Sequence, residues 1–219
     1  FICGVDRNYF RALQTFQKLL QERNALLKQN ESDAVVSAFE SQMDEPALTI
    51  CRVRTEILDS LMEYAVGVHR EISLDGETLA VEYSRSAELE EEGDYLKLLE
   101  KNRKRDGYLQ STGKGPHRDD FSISLNGMSA DDFASEGQQR SVTLSLSLAI
   151  IEFWQSRFGF RPVALADDAL GELDQQRRDR FWSVLDKNLQ IIATGTQRPS
   201  RAEKDDWRII EVSRGNFKG

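Results

Sequence analysis

The sequence is poor in the residues that build disulfide frameworks, zinc centres and histidine-based catalytic sites. Its 219 residues include two cysteines, Cys3 and Cys51, and two histidines, His69 and His117. The cysteines lie far apart and lack ligand spacing, so the sequence predicts neither a disulfide framework nor a Cys/His zinc centre. Cytoplasmic residence is therefore the default expectation.

Long apolar runs and an excess of positive charge are also missing. No apolar run approaches the roughly 20 residues that cross a bilayer, so a membrane protein is not expected. The net charge of −8 argues against a dedicated nucleic-acid module, because such domains are usually basic. A DNA contact through a local patch or an assembled dimer remains open. Apolar residues make up 39% of the chain, which is enough to build a core.

The first third of the chain predicts a helical arm, which we assign to residues 1–74. Residues 9–29 contain neither glycine nor proline and place apolar side chains at helical spacing. Ser32 or Asp33 is a candidate cap for a second helix, and Pro46 suits the first turn of a third. A stripe with steps of three and four follows, and it is typical of a helix that packs against neighbouring helices; its members are Ile50, Val53, Ile57, Leu61, Tyr64 and Val68.

The remainder, residues 75–219, predicts an α/β lobe because strand patterns alternate with helix patterns. Asn126-Gly127 is a strong hairpin signal. The predicted strands are 79–83, 121–125, 163–166 and 191–194, with helices at about 138–158 and 175–185 and a closing hairpin within 207–217.

Two adjacent carboxylates, Asp167 and Asp168, end the predicted strand 163–166. Ligands of open α/β sheets usually bind at the carboxyl ends of the strands, and Mg²⁺ is held by one or two carboxylates together with substrate phosphates. We therefore assign Asp167 to the shell of a Mg²⁺ ion and Asp168 to polarisation of an attacking water. The alternative is that the pair caps the following helix.

A second candidate group stands at the entrance to the long helix. Ser135 presents a hydroxyl, Gly137 lets the backbone approach a ligand closely, and Gln138 follows in the first turn. The free N–H groups of a helix entrance favour an anion, and this arrangement suits a terminal phosphate. The alternative is an ordinary N-cap, which Ser135 can supply by itself.

Other charged segments carry weaker signals. Gly113-Lys114 resembles the end of a phosphate-binding loop, but Gly115 occupies the position that needs Ser or Thr. His117 and Arg118 predict an internal lock that orients the Ser135 segment. A basic cluster at the end of a predicted helix either meets a phosphate backbone or is a solvated helix end; it comprises Lys101, Arg103, Lys104 and Arg105.

In this order and at this spacing, three strings resemble the signature, Walker B and D-loop of an ABC-type ATPase: Phe133–Ser141, Val163–Asp168 and Gly171–Asp174. The chain as a whole resembles the RecF family, from the SMC-like branch of those ATPases. Further strings that carry this resemblance are Gln21–Lys28, Gly115–Asp120 and the terminal Trp207–Phe217.

The resemblance implies a fold, a function and partners. The fold is α/β, the C-terminal lobe of an ABC-type ATPase head with an N-terminal helical arm. Two subunits would hold ATP and Mg²⁺ between them, with Ser135, Gly137 and Gln138 on the γ-phosphate of the opposite subunit. Asp167 and Asp168 would serve the nucleotide of their own subunit, and Asp174 would reach across the seam.

The implied assembly is a homodimer that closes with ATP on double-stranded or gapped DNA in recombinational repair. A RecR-like mediator protein is the expected partner. Thr196, after the next strand, stands where many ABC ATPases place a histidine that senses the γ-phosphate, so we assign it to the nucleotide.

Two features oppose a complete enzyme. No Walker A string occurs, and the chain begins at Phe1 rather than Met, so we expect a truncated protein that hydrolyses ATP only with an added Walker A lobe. The main alternative is a non-enzymatic DNA- or protein-binding scaffold lobe. Another SMC-like head fragment is disfavoured because the long heptad arm of such proteins is missing.

Overall fold

The structure is a computed structural model that describes residues 1–73, 76–168, 174–196 and 207–218. Its helices are α1 (Ile2–Val5), α2 (Arg7–Lys28), α3 (Asp33–Ile72), α4 (Asp94–Leu109), α5 (Ala130–Phe133), α6 (Glu136–Phe158) and α7 (Gln175–Val184). Its strands are β1 (Leu79–Ser84), β2 (Asp120–Leu125), β3 (Met128–Ser129), β4 (Ala164–Asp167), β5 (Ile191–Thr194), β6 (Glu211–Ser213) and β7 (Asn216–Lys218).

Helix α3 differs from the sequence-based expectation of two helices that meet at Pro46. The helix runs without a break from Asp33 to Ile72 and contains Pro46 in its interior. Proline removes one backbone hydrogen bond from a helix. Burial of Met43, Ala47 and Ile50 on both sides of Pro46 favours continuation, because tertiary packing provides most of the stability of a helix.

The chain folds into two compact units. The first comprises Phe1–Glu63 and Ala80–Ser124, and the second comprises Tyr64–Leu79 and Leu125–Gly219. This division differs from the boundary between residues 74 and 75 that the sequence suggested. The units follow packing, whereas that boundary marks an arm and an ATPase lobe, and as a functional division it stays a prediction.

The first unit has an apolar core contributed by α2, α3, α4 and the segment that precedes α4. Its helix α4 begins without a cap of its own, because Gly93 has no side chain to offer. Asp44 of α3 supplies the cap instead, and its carboxylate accepts hydrogen bonds from the N–H groups of Gly93 at 2.6 Å and Tyr95 at 2.9 Å. The core residues are Tyr9, Phe16, Leu19, Met43, Ala47, Ile50, Cys51, Leu89, Tyr95 and Leu99.

A fully buried arginine links the three helices. Arg23 of α2 donates to Glu40 of α3 at 2.9 Å and to Asp106 of α4 at 2.9 Å. The same guanidinium donates to the hydroxyl of Thr112 at 2.6 Å, beyond the end of α4. Glu40 also accepts from Arg103. Because the donors of the guanidinium point in fixed directions, this group sets the relative placement of three helices.

The second unit packs the end of α3 against α6 and α7, through Val68, Ile72, Leu144, Leu148 and Phe181. Strands β4 and β5 are parallel neighbours, with Asp167 opposite Thr194 at their carboxyl ends. The turn at Asn126-Gly127 has positive φ angles at both residues, as the hairpin signal in the sequence predicted. Strands β6 and β7 form the closing antiparallel hairpin.

None of the helices in the described part of the chain has both the length and the apolar character that a membrane-spanning helix needs.

The buried arginine generates a stability prediction. Replacing Arg23 by methionine leaves Asp106 buried without its cation, so Arg23→Met should lower the free energy of unfolding by about 3–5 kcal/mol. Urea denaturation measures this loss. The matched control is Lys18→Met on the same helix, where the ion pair with Glu22 is exposed and the change should stay within about 0.5 kcal/mol. Equal losses in the two variants would contradict the assigned role of Arg23.

Candidate active site

The exposed pair Asp167–Asp168 lies at the carboxyl end of β4. The carboxylate of Asp167 accepts a hydrogen bond from the hydroxyl of Thr194 at 2.5 Å. Since the two strands are parallel and in register, their carboxyl ends bring this carboxylate and this hydroxyl to one edge. Carboxylate and hydroxyl oxygens are hard ligands of the kind that Mg²⁺ takes, so the donor set fits the ion predicted from the sequence.

Asp168 adopts a left-handed backbone conformation, with φ of 46°. Its N–H group donates to the carbonyl oxygen of Thr194 at 3.3 Å and to the hydroxyl oxygen of the same residue at 3.2 Å. Aspartate is one of the few residues other than glycine that visits this region readily. This backbone conformation ends the strand directly after Asp167.

Helix α6 begins with a capping box. Ser135 accepts the N–H of Gln138 on its hydroxyl at 3.3 Å, and the side-chain oxygen of Gln138 accepts the N–H of Ser135 at 2.8 Å. The sequence left open whether Ser135 is a cap or a phosphate ligand, and the cap is present. The cap uses the N–H of Gln138, which leaves the N–H groups of Glu136 and Gly137 without partners inside the helix.

Glu77 connects this entrance to α7. One carboxylate oxygen of Glu77 accepts from the side-chain amide of Gln138 at 3.0 Å and from Arg177 at 3.2 Å. Arg177 lies beside Gly137, where an added Cβ would be 3.7 Å from the guanidinium. The structure therefore brings Gly137 and Gln138 of the signature-like segment to the first turn of α7.

Asp174 caps α7 and belongs to the same cluster. Its carboxylate accepts the backbone N–H of Arg177 at 2.9 Å and the Arg177 guanidinium at 2.9 Å. The backbone hydrogen bond from Arg177, followed by its guanidinium charge, lowers the pKa of Asp174 below its ordinary value. Gly171, Glu172 and Leu173, the other residues of the predicted D-loop, lie outside the described residues.

The other oxygen of Glu77 faces a buried histidine. Nε2 of His69 lies 3.6 Å from this oxygen, and neither atom has a hydrogen-bond partner among the described residues. Nδ1 of His69 lies 3.1 Å from the hydroxyl of Ser145 on α6. Burial lowers the pKa of His69, and the nearby carboxylate of Glu77 opposes that shift only in part.

The segment around Gly115 does not have the form of a phosphate-binding loop. Gly115 has φ of 128°, and a Cβ there would lie 2.7 Å from the ring of Tyr95. His117 contacts the carbonyl oxygen of Thr112 at 3.0 Å, and Arg118 donates to that oxygen at 3.4 Å. These two side chains therefore stabilise the loop that contains them. The partners described for them do not include the Ser135 segment, which the sequence predicted they would orient.

Sequence reasoning missed several residues of the cluster. Thr194 carried a usable signal, since residues that end parallel strands meet at one edge. Glu77 and Arg177 carried no such signal, because both lie far from Gln138 along the chain. Gln138 comes 61 residues after Glu77 (138 − 77) and 39 residues before Arg177 (177 − 138). Thr196, which was predicted as a nucleotide residue, is exposed after β5, and no contact with the other predicted residues is described for it.

Comparisons with known proteins show what this chain is similar to. No family model matches the chain. A protein named DNA replication and repair protein RecF from Streptococcus gordonii is 35% identical over 217 residues, which cover 96% of this chain and 60% of the relative. A protein of the same name from Clostridium botulinum is 32% identical over 223 residues and is covered to 61%. The chain is a homologue of the C-terminal part of RecF.

Solved structures of RecF agree with this assignment. A structure described as the recombination mediator protein RecF with ATP in the RecFOR pathway matches 97% of this chain with a TM-score of 0.77 and 28% identity. Its counterpart with an ATP analogue matches equally well. The predicted fold class, α/β with the C-terminal lobe of an ABC-type head and a helical arm, is confirmed. The chain spans about three fifths of the length of the RecF relatives it matches.

Burial of the two histidines predicts that the stability of the fold depends on pH. Desolvation lowers the pKa of both His69 and His117 below the ordinary value of 6.5. As the pH falls through that value the unfolded chain takes up protons that the folded chain refuses, so stability should fall between about pH 7.5 and pH 5.5. The urea midpoint measured across this range checks the sign.

The control for this prediction is the double variant His69→Gln, His117→Gln. Glu152, whose pKa is raised by desolvation and by Glu71, contributes a slope of opposite sign, and it is present in both proteins. The difference between the two curves therefore isolates the histidines. A wild-type midpoint that rises relative to the double variant on acidification would show that the folded state protonates first.

Proposed function

We propose that this chain supplies the signature, Walker B and D-loop residues of a RecF-type ATPase that dimerises on ATP and binds DNA in recombinational and gap repair. The observation that supports this proposal most strongly is the exposed Asp167–Asp168 pair at the carboxyl edge of parallel strands. At least 96% of this chain matches RecF. The complete activity needs a Walker A lobe, which no string of this sequence provides.

On the subunit's own nucleotide, Asp167 and Asp168 divide two tasks. Asp167 would hold Mg²⁺, whose charge neutralises phosphate oxygens during transfer, and Thr194 fixes the orientation of that carboxylate. Asp168 would accept a proton from the attacking water as a general base. The contacts with Thr194 support separate roles, because Asp167 uses its carboxylate there, whereas Asp168 uses its backbone N–H.

On the partner's nucleotide, the entrance of α6 would receive the γ-phosphate. The N–H groups of the first turn and the O–H of Ser135 are suited to a phosphate at a helix N-terminus. Gly137 keeps the approach open, since it carries no side chain. Gln138 would act mainly by shaping the turn, because its amide already bonds Ser135 and Glu77. Asp174, the N-cap of α7, would contact the interface with the partner subunit.

Closure of the dimer on DNA is part of the same proposal. A repeating phosphate backbone needs cations, and α4 exposes Lys101, Lys104 and Arg105 to solvent. Arg103 of the same basic cluster is committed to Glu40, so it is not free to meet DNA. A RecR-like protein remains the proposed mediator partner, in keeping with the RecFOR pathway named for the matching structures.

A second candidate function is a scaffold lobe that binds DNA or protein without catalysis. The observation that favours it is the use of Ser135, Gln138 and Asp174 as ordinary helix caps. Measuring ATP hydrolysis by the complete protein distinguishes the two functions. A scaffold would not hydrolyse ATP and would not need Asp168 as a general base.

The base assignment gives a direct test in the complete protein. Asp168→Asn removes the proton acceptor while keeping the shape of the side chain, so kcat for DNA-stimulated ATP hydrolysis should fall by roughly 10²–10⁴-fold. ATP-dependent dimerisation, measured by sedimentation, should persist. Asp59→Asn, an exposed substitution on α3, is the charge-matched control. Unchanged hydrolysis in Asp168→Asn overturns the role given to this residue.

The phosphate site at α6 gives a second test. Gly137→Ala meets no obstruction closer than 3.7 Å, so the protein should fold at least as well as the wild type, given the higher helix propensity of alanine. The added methyl group narrows the approach of a phosphate, and the dimer dissociation constant in ATP should rise about tenfold or more, on the order of 1.4 kcal/mol. Gly67→Ala, at an exposed position of α3 with open space around it, is the matched control, and equal dimerisation by both variants would exclude a phosphate at this helix entrance.

A further inference from the structure

We propose that Glu77 is a positioning residue that fixes the entrance of α6 relative to the entrance of α7, so that Ser135 and Asp174 act together on a partner's nucleotide. The proposal rests on the proposed function, since it assigns both residues to the nucleotide of the opposite subunit. The juxtaposition that carries it is one buried carboxylate oxygen between Gln138 and Arg177.

The contacts form a continuous chain between the two helix entrances. Gln138 uses one end of its amide on the N–H of Ser135 and the other on Glu77. Arg177 uses one terminal nitrogen on Glu77 and the other on Asp174. Ser135 and Asp174 are therefore linked through three side chains, and every link is 3.2 Å or shorter.

The central position suits a carboxylate. Glu77 is only 7% exposed, and a buried charge has to be paired with a cation or with several donors. Arg177 supplies the cation at 3.2 Å, and Gln138 supplies a further donor. Because a hydrogen bond to a charged group is stronger than one between neutral groups, the carboxylate holds both helix entrances more firmly than a neutral side chain would.

The back of Glu77 is anchored in the packed interior. His69 of α3 lies 3.6 Å from the second carboxylate oxygen and also contacts Ser145 on α6 at 3.1 Å. His69 and Ser145 are fully buried. Arg180 of α7 also donates to the carbonyl oxygen of Ser73, the residue that follows α3. Glu77 thus stands between fixed groups of α3, α6 and α7, which a positioning residue requires.

Each helix entrance has a cap that does not involve Glu77. Gln138 pairs with Ser135, and Arg177 pairs with Asp174. Removing the charge of Glu77 therefore weakens only the contact between the two entrances. A variant at Glu77 should therefore impair the joint action of the entrances across the dimer more than the formation of either helix.

The experiment compares Glu77→Gln with Glu71→Gln in the complete protein. Glu71 lies at an exposed position of α3 and controls for the loss of one carboxylate. We expect Glu77→Gln to bind ATP as a monomer within about twofold of the wild type and to raise the ATP-dependent dimer dissociation constant about tenfold or more, a change of roughly 1.4 kcal/mol. Wild-type dimerisation by a folded Glu77→Gln protein overturns the proposal.

A coupling measurement excludes a merely structural role. In the wild type, Ser135→Ala and Asp174→Ala should weaken dimerisation non-additively, as expected for residues in one network. In the Glu77→Gln background the same two changes should become additive. Additivity in the wild type, or unchanged coupling in Glu77→Gln, counts against positioning by Glu77.

Two further variants complete the design. Where Glu77→Gln does not fold, Arg177→Lys takes its place, because lysine keeps the charge but lacks the fork that bridges two carboxylates. The same weakened dimer is expected, and a wild-type dimer overturns the proposal.

Gly137→Ala distinguishes failure of the role of Glu77 from failure of the proposed function. Loss of dimerisation in Gly137→Ala alone leaves the proposed function standing without the role of Glu77, whereas normal dimerisation in both variants removes the proposed function itself.

Discussion

An ionised side chain that leaves water must find partners for its charge and its hydrogen-bonding atoms, and each unit of this chain is organised around one such group. In the first unit Arg23 gathers Glu40, Asp106 and Thr112. In the second unit Glu77 gathers Gln138 and Arg177. Apolar packing is tolerant of small shifts between helices, whereas a buried charge accepts few arrangements. We therefore regard the two buried groups as the elements that select one relative placement of the helices in each unit.

The two groups differ in what they hold. Arg23 is completely enclosed and its partners come from helix interiors and a loop, so its role ends with the stability of the fold. Glu77 holds the first turns of α6 and α7, where Ser135 and Asp174 face solvent. A first turn has N–H groups without partners inside the helix, so these are the places where a packed interior can present donors to a phosphate. The second buried group therefore connects packing to the proposed chemistry.

Patterns within a short stretch of sequence predicted most of the elements. The strand at 191–194, the turn at Asn126-Gly127 and the helices near 138–158 and 175–185 agree with the structure within a few residues, because periodicity and turn residues act locally. Pro46 misled, since packing on both sides of it outweighed one missing hydrogen bond. Asp167, Ser135 and Asp174 were predicted as site residues from ordered motifs. Glu77, Thr194 and Arg177 were not, because their partners are brought to them by the tertiary fold and no spacing along the chain records it.

The caps at Ser135 and Asp174 also bear on the choice between a structural and a functional interpretation. A cap and a phosphate ligand need the same thing from a helix entrance, namely that its first N–H groups are held in fixed directions. The capping box at Ser135 uses the N–H of Gln138 and leaves earlier N–H groups of the turn directed outward. Donors that are already oriented need no reorganisation when charge arrives, which is the condition under which they stabilise it best. The two interpretations are therefore one arrangement, in which the bonds that begin the helices also prepare them for an anion.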